Sequence, residues 1–203
     1  MALLLGYDVG SSSVKATLMD AGTGRALAAA TSPERELEII AHKPGWAEQH
    51  PDTWWQHVKL ATEKIKAKVP FDACDVKAIG ISYQMHGLVV VDKNQQVLRP
   101  AIIWCDSRAV PIGQKAAKDI GPRKCLKRLL NLPGNFTASK LKWVKDNEPK
   151  LYARINKMML PGDFIAMKMT GEIRTTPSGL SEGIMWDFEK DKLADFVLDN
   201  YGL

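Results

Sequence analysis

Residues 3–20, LLLGYDVGSSSVKATLMD, read as a strand, a tight polar turn and a second strand. Asp8 stands at the end of the first strand, and Gly10, Ser11, Ser12 and Ser13 form the turn. Such a turn suits phosphate. Gly10 lets the backbone come close to a bulky anion, successive N–H groups and three hydroxyls can donate to its oxygens, and Lys15 adds positive charge. Asp8 needs a separate reason, because a carboxylate beside a phosphate is repelled unless a cation lies between them. Its natural partner is Mg²⁺ or a metal-bound water. An ordinary hairpin whose Asp and Ser residues only solvate the turn is the competing reading. The stretch contains no G-x-G-x-x-G, and residues 6–15 lack the Walker spacing, so a different nucleotide fold is required.

Three further motifs follow in order: Trp46-Ala47-Glu48-Gln49 with Pro51 and Trp54-Trp55, then Gly80-Ile81-Ser82-Tyr83-Gln84-Met85-His86-Gly87, then Arg99-Pro100-Ala101-Ile102-Ile103-Trp104-Cys105-Asp106-Ser107-Arg108. The first turn resembles the leading phosphate motif of the sugar kinase, actin and heat-shock ATPase superfamily. With the three later motifs, the chain resembles the carbohydrate kinases of the FGGY family over nearly its whole length, and Gln84-Met85-His86-Gly87 is most similar to the xylulokinases among them. The resemblance implies an α/β, ribonuclease H-like (actin-like ATPase) domain over residues 1–203, with a mixed sheet, antiparallel first strands and flanking helices. It implies ATP and Mg²⁺ as cofactors, and transfer of the ATP γ-phosphate to a hydroxyl of D-xylulose, with Asp8 as the catalytic carboxylate of this part. It also implies that the general base, an Asp in a Gly-rich segment, and the adenosine pocket belong to a second domain, expected beyond Leu203. Neither is found here, so the chain is expected to be the first domain of a longer kinase, binding sugar weakly if at all, binding ATP poorly and turning over neither. A kinase for another polyol (ribulose, gluconate, glycerol) and a non-catalytic sugar-binding module stay open. In enzymes resembling glycerol kinases charged residues would be expected at the Met85-His86 pair.

Length and composition set outer bounds. At 203 residues, 45% hydrophobic and 25% charged, the chain can bury one sizeable core. No apolar run of about 18 residues and no basic segment ahead of the first strand suggest a membrane span or signal peptide. Three cysteines, Cys74, Cys105 and Cys125, without C-x-x-C spacing suit a reducing cytoplasm. The net charge of +5 reads as a solvated helical face rather than a nucleic-acid surface, because acids are interspersed with the bases. Apolar surface built to face a second domain would be exposed in isolation and favour association, a homodimer being one form of it.

Along the chain, residues 25–31 read as a third strand returning beside the second, and residues 36–41 as a short extended piece. Pro51 opens a helix with Trp54, Val58, Ala61 and Ile65 on one stripe and Pro70 beyond its end, so Trp54 is a core anchor and Trp55 its half-exposed neighbour. Residues 76–82 read as a buried strand that delivers Gln84, Met85, His86 and Gly87 to the carboxyl end of the sheet, where ligand crevices lie. There His86 can exchange hydrogen bonds, Met85 offers an adaptable apolar wall, and Gly87 permits close passage of the chain. A turn holding a satisfied histidine is the structural alternative. The resemblance assigns sugar binding to Met85 and His86, with Gln84 and Gly87 as supporting members.

Residues 87–92 and 97–104 form a hairpin bringing Trp104 and Asp106 to the same crevice, an aromatic wall and a carboxylate suited to a polyol, with Arg108 orienting them. A core tryptophan with an Asp106–Arg108 pair is the alternative. Cys105 reads as an inert thiol. Helices are expected at 107–120, 122–130, 139–147 and 149–155, a strand at 157–160, a helix from Pro161 to Met169, a loop at 175–181 and a last helix at 190–200. The resemblance adds that the Gly134-Asn135-Phe136-Thr137 loop lies near the substrate.

Overall fold

The computed structural model describes residues 2–203. β1 (Leu3–Val9) and β2 (Val14–Asp20) pair antiparallel, with Asp8 opposite Lys15 and Val9 opposite Val14. Gly10 N–H donates to the Ser13 carbonyl at 3.0 Å and closes the turn between them. A Cβ at Gly10 would lie 3.1 Å from that carbonyl oxygen, so a side chain there would crowd the turn. Period-two alternation buries Leu3, Leu5, Tyr7 and Val9 on one face of β1 and leaves Leu4, Gly6 and Asp8 half-buried on the other. β3 (Ala26–Ser32) continues the antiparallel meander, one residue later than the sequence suggests. Residues 36–41 form no strand, only a bridge from Ile40 to Glu48 of β4 (Glu48–Gln49).

α1 (Pro51–Lys68) starts at its proline and packs its buried stripe of Trp54, Val58, Ala61 and Ile65 over β2 and β3. Its Thr62 hydroxyl meets the Tyr7 hydroxyl at 2.6 Å, so the buried face of β1 looks toward α1. A 3-10 turn at Ala73–Asp75 leads into β5 (Val76–Tyr83), which runs parallel to β1 and completes the sheet order β3-β2-β1-β5. β5 is therefore an edge strand. Its residues 77–80 are exposed, correcting the expectation of a buried strand. A short apolar run carries no information about how many neighbours it will have.

β6 (Val89–Val91) and β7 (Ala101–Ile102) are the cores of the expected hairpin, tied by Leu88 and Ile102 exchanging backbone hydrogen bonds at 2.9 and 3.2 Å. β7 also pairs with β4. α2 (Val110–Ile120), α3 (Pro122–Leu129), α4 (Thr137–Asn147) and α5 (Pro149–Tyr152) follow, each near its expected position. β8 (Lys157–Met159) pairs with β6. α6 (Pro161–Thr170) then lies on β5 so closely that a Cβ at Gly162 would stand 2.0 Å from the Tyr83 ring.

Residues 175–181, expected as a loop, run into α7 (Pro177–Glu182) from its first residue on. The Thr176 hydroxyl caps it by accepting from Gly179 N–H at 3.0 Å, and Pro177 supplies the first helical residue, so loop-forming residue types here build a helix start. The last helix is shorter than expected: β9 (Trp186–Asp187) and β10 (Lys192–Leu193) form a small hairpin before α8 (Asp195–Tyr201). The helices α2, α3, α4 and α8 share a second core around Cys125, Leu129, Ala138, Ile184 and Val197. Leu203 packs half-buried against this core, and its N–H donates to the Leu198 carbonyl at 2.9 Å.

Gly113 decides how α2 meets the 133–136 loop, because a Cβ there would lie 2.0 Å from the Gly134 carbonyl oxygen. Backbone cannot rotate aside as a side chain does. Gly113→Ala is expected to destabilise the chain by about 1–3 kcal/mol, read as a lowered thermal midpoint.

Candidate functional site

Two strand ends meet at the site. β1 delivers the 10–13 turn and β5 delivers Gln84, and because the strands are parallel both arrive at the same edge, where Gln84 N–H donates to the Val9 carbonyl at 2.9 Å. Between them sits Gln49, absent from the site residues expected from sequence. Its amide nitrogen donates to the Ser11 carbonyl at 2.6 Å and to the Glu38 carbonyl at 3.2 Å. Its amide oxygen accepts from Trp54 Nε1 at 3.0 Å and from Gln84 Nε2 at 3.3 Å. One buried side chain thus joins the phosphate-type turn, the core helix and the 84–87 motif. Leu37 N–H adds a tether to the Ser12 carbonyl at 2.8 Å.

Trp104 closes the circuit from the other side. It is 49% exposed, and its Nε1 donates to the Ser11 hydroxyl at 3.2 Å. Asn135 Nδ2 donates to the Trp104 carbonyl at 3.3 Å and to the Asp106 carbonyl. Next to it, the Phe136 ring meets the His86 ring edge-on at 4.3 Å. The sequence separation is large, yet Ser11, Gln49, Gln84, His86, Asn135 and Trp104 lie on one connected rim. Met85, 55% exposed, projects outward.

Three buried atoms of this rim, Gln84 Oε1, His86 Nδ1 and Asn135 Oδ1, have no hydrogen-bond partner among the described residues. An unpaired buried polar atom costs about 1–3 kcal/mol, so each of the three favours a hydrogen-bonding partner, whether water or a ligand hydroxyl. His86 itself has φ 59°, in the left-handed region. Its imidazole pKa is pushed below the ordinary value, first by burial and then by the Lys140 charge, so the ring stays neutral at neutral pH. Gly87 lies against α6: a Cβ there would stand 2.5 Å from Pro161 Cγ.

Asp8 and Lys15, opposite each other on β1 and β2, form an ion pair at 3.3 Å, each side chain at least half exposed. Lys15 therefore serves Asp8 as much as the turn. Among the described residues no group of three or more His, Cys, Asp or Glu is arranged to hold a metal ion. Mg²⁺ asks for less, taking one or two carboxylates and completing its shell with water and substrate phosphates. The half-exposed Asp8 carboxylate beside the turn meets that requirement.

Asp106 has a different place from the one its motif suggests. Fully buried, it accepts from Arg108 Nη2 and from Ala47 N–H, both at 2.6 Å, so its carboxylate is turned inward and orients the loop rather than lining the rim. Arg108 also pairs with Glu48 at 2.7 Å, and Arg99 bridges Glu48 to Glu148. The Arg108 guanidinium is stacked 3.7 Å from the Trp46 ring centroid and 4.8 Å from that of Trp143. Cys105 is held protonated, its pKa raised first by burial. Leu203, the position past which the general base is expected, offers no proton acceptor in its side chain and contributes packing against the second core instead.

Comparison with known proteins fits this geometry. Residues 3–203 match the family model described as the FGGY family of carbohydrate kinases, N-terminal domain. The chain is 36% identical over 197 residues to a xylulose kinase of Escherichia coli (strain K12), a match covering 97% of this chain and 39% of that protein. The crystal structure of a xyloylose kinase from Brucella ovis superposes with a TM-score of 0.89 at 34% identity, covering 99% of this chain and 41% of the other. A Plasmodium falciparum glycerol kinase with ADP, at 18% identity and a TM-score of 0.85, shares the fold. The chain thus spans about 40% of the length of the relatives it matches.

Proposed function

The chain belongs to the FGGY family of carbohydrate kinases, with the actin-like ATPase fold of that family, and from that premise we propose that it is the sugar-binding and phosphate-binding part of a kinase that phosphorylates D-xylulose. One observation carries the reading: the 10–13 turn and the 84–87 motif sit side by side at the ends of paired parallel strands, joined through Gln49, with Trp104 bonded to the turn. A phosphate held at the first is next to a hydroxyl held at the second, and such proximity is the main thing phosphoryl transfer asks of a protein.

In this reading Met85, His86 and Trp104 hold the sugar, with Gln84, Gly87 and Asn135 shaping the rim, while Gly10, Ser11, Ser12, Ser13 and Lys15 hold phosphate. Asp8 would hold Mg²⁺, which supplies charge neutralisation for the phosphate oxygens when bound. The sugar hydroxyl oxygen bonds to the γ-phosphorus of ATP, the bond to the bridging oxygen breaks, and ADP leaves. The hydroxyl proton passes to a general base that we assign, with the adenosine pocket, to the part of the longer relatives that follows the position of Leu203 and lies outside this match.

Ligand-observed NMR tests the substrate class. Saturation transfer is expected to D-xylulose and not to D-ribulose, gluconate or glycerol, and to fall at least tenfold in Met85→Ala and His86→Ala. Equal transfer to all four sugars, or transfer that survives both substitutions, would overturn the assignment.

A further inference from the structure

His86 holds a backbone conformation that costs a non-glycine residue about 1–3 kcal/mol, and such strain persists only where the surroundings impose it. Two charged side chains do so. Glu182, at the end of α7, accepts the His86 N–H at 2.7 Å. Lys140, in the first turns of α4, donates to the His86 carbonyl at 2.6 Å, its side chain fully buried. A single residue is thus gripped through both of its backbone polar groups by a carboxylate and an ammonium from different helices.

We propose that Lys140 and Glu182 are positioning residues of the sugar site, clamping the His86 backbone so that its ring and the Met85 side chain face the ligand, and that the charge on Lys140 sets how firmly the clamp holds. The proposal rests on the reading of His86 as a sugar ligand. Nothing else in the mechanism uses a buried lysine, and burying one without a task is costly.

The titratable groups facing Lys140 are Asp106, Cys105 and Glu182, which favour its protonated form when ionised, and Arg108, which opposes it. Glu182 also faces Tyr83 and Asp163, and its own pKa is raised, chiefly by burial. Burial outweighs the acids around Lys140 and brings its pKa down to about 8 from 10.5. Below that value the clamp is an ammonium on a carbonyl; above it, a neutral amine bonds the same oxygen, and charge-assisted hydrogen bonds are roughly twice as strong as neutral ones. Sugar affinity therefore falls as pH rises through about 8.

Stability moves the other way. Between about 8 and 10.5 the unfolded chain binds more protons at this lysine than the folded one, so its contribution to folding stability rises with pH. Weaker binding at pH 9.5 is thus not a sign of unfolding caused by Lys140.

The test is a pH titration of the ¹⁵N-labelled 203-residue chain from pH 6.5 to 10, following the His86 and Gly87 amides and the Lys140 side chain, with D-xylulose saturation transfer measured alongside. The expected result is that both amides shift with the midpoint of Lys140, and that affinity drops about tenfold from pH 7 to pH 9.5. Lys140→Met is expected to bind at the weakened level throughout, with flat amide shifts and an unchanged spectrum for β1 and β2. If Lys140→Met fails to fold, the wild-type titration decides alone. A His86 amide that ignores Lys140 titration, or a Lys140→Met variant with wild-type affinity and pH profile, overturns the proposal. If the His86 amide follows Lys140 while no sugar binds at any pH, the clamp is supported and the D-xylulose reading fails instead.

Discussion

Arg108→Ala is expected to destabilise the chain by about 3–5 kcal/mol, read as a lower urea midpoint at unchanged denaturant slope. The guanidinium occupies the centre of a buried charge cluster, with Asp106 at 2.6 Å on one side and Glu48 at 2.7 Å on another. Removing it strands Asp106, which has no exposed surface and no other cation pairing its carboxylate among the described residues. Glu48 keeps Arg99, so the loss is concentrated on the 106–108 loop. It also uncovers the Trp46 and Trp143 rings, which meet each other edge-on at 5.3 Å beside the guanidinium, and tryptophan fluorescence should report that change. Arg108→Lys is expected to recover less than half of the loss, because a lysine cannot reproduce a planar fork that meets two carboxylates while stacking on aromatic faces. The double change Asp106→Asn with Arg108→Met should cost less than Arg108→Ala alone, since no bare charge is left behind. If the single and double variants are equally damaged, packing and not charge holds this loop.

Trp54→Ala is expected to cost about 3–5 kcal/mol. This side chain is wholly buried under the sheet, and its indole N–H is committed to Gln49. Trp54→Phe separates the two roles. It keeps most of the apolar volume and removes the donor, so about 1–2 kcal/mol of the loss should remain. Its larger consequence is at the site. Gln49 would lose the partner that fixes its amide orientation, and with it the grip on the Ser11 carbonyl. The Leu37 amide, which donates to the Ser12 carbonyl, should then exchange its hydrogen faster, and that exchange rate is the measurement to make.

Where local chemistry decides the outcome, the sequence was informative. The 3–20 hairpin, the Trp54 stripe of α1 and the helix starting at Pro161 follow from period, caps and turn residues within a few positions of each other. Misreadings occurred where a neighbour far along the chain makes the decision. β5 has the composition of a central strand yet lies at the sheet edge, because strand order is a property of topology and not of the run itself. Pro177, Ser178 and Gly179 favour loops in isolation, but Thr176 turns them into the first turn of α7.

The site divides in the same way. Gly10 to Ser13, Gln84 to Gly87 and Trp104 were legible as motifs, and the structure brings them onto one rim. Asp106 was legible as important and misplaced in direction, since spacing does not say whether a carboxylate looks outward to a ligand or inward to Arg108. Gln49 stood inside a quoted motif, but its four hydrogen bonds reach residues before and after it that no local pattern links. The bonds of Lys140 and Glu182 to the His86 backbone were invisible. A lysine in a helix of mixed charge signals a solvated face, and only the fold shows that this one points inward to a carbonyl 54 positions away.

The parallel pairing of β1 with β5 also governs when the site comes into being. The hairpin of β1 and β2 closes over four turn residues, whereas β1 meets β5 only after α1 and its flanking loops have been laid down between them. Non-local parallel contacts are slow to form because the loop entropy is lost before any contact rewards it. The 10–13 turn can therefore close before the 84–87 motif reaches it, since its hairpin is local in sequence and the β1–β5 pairing is not.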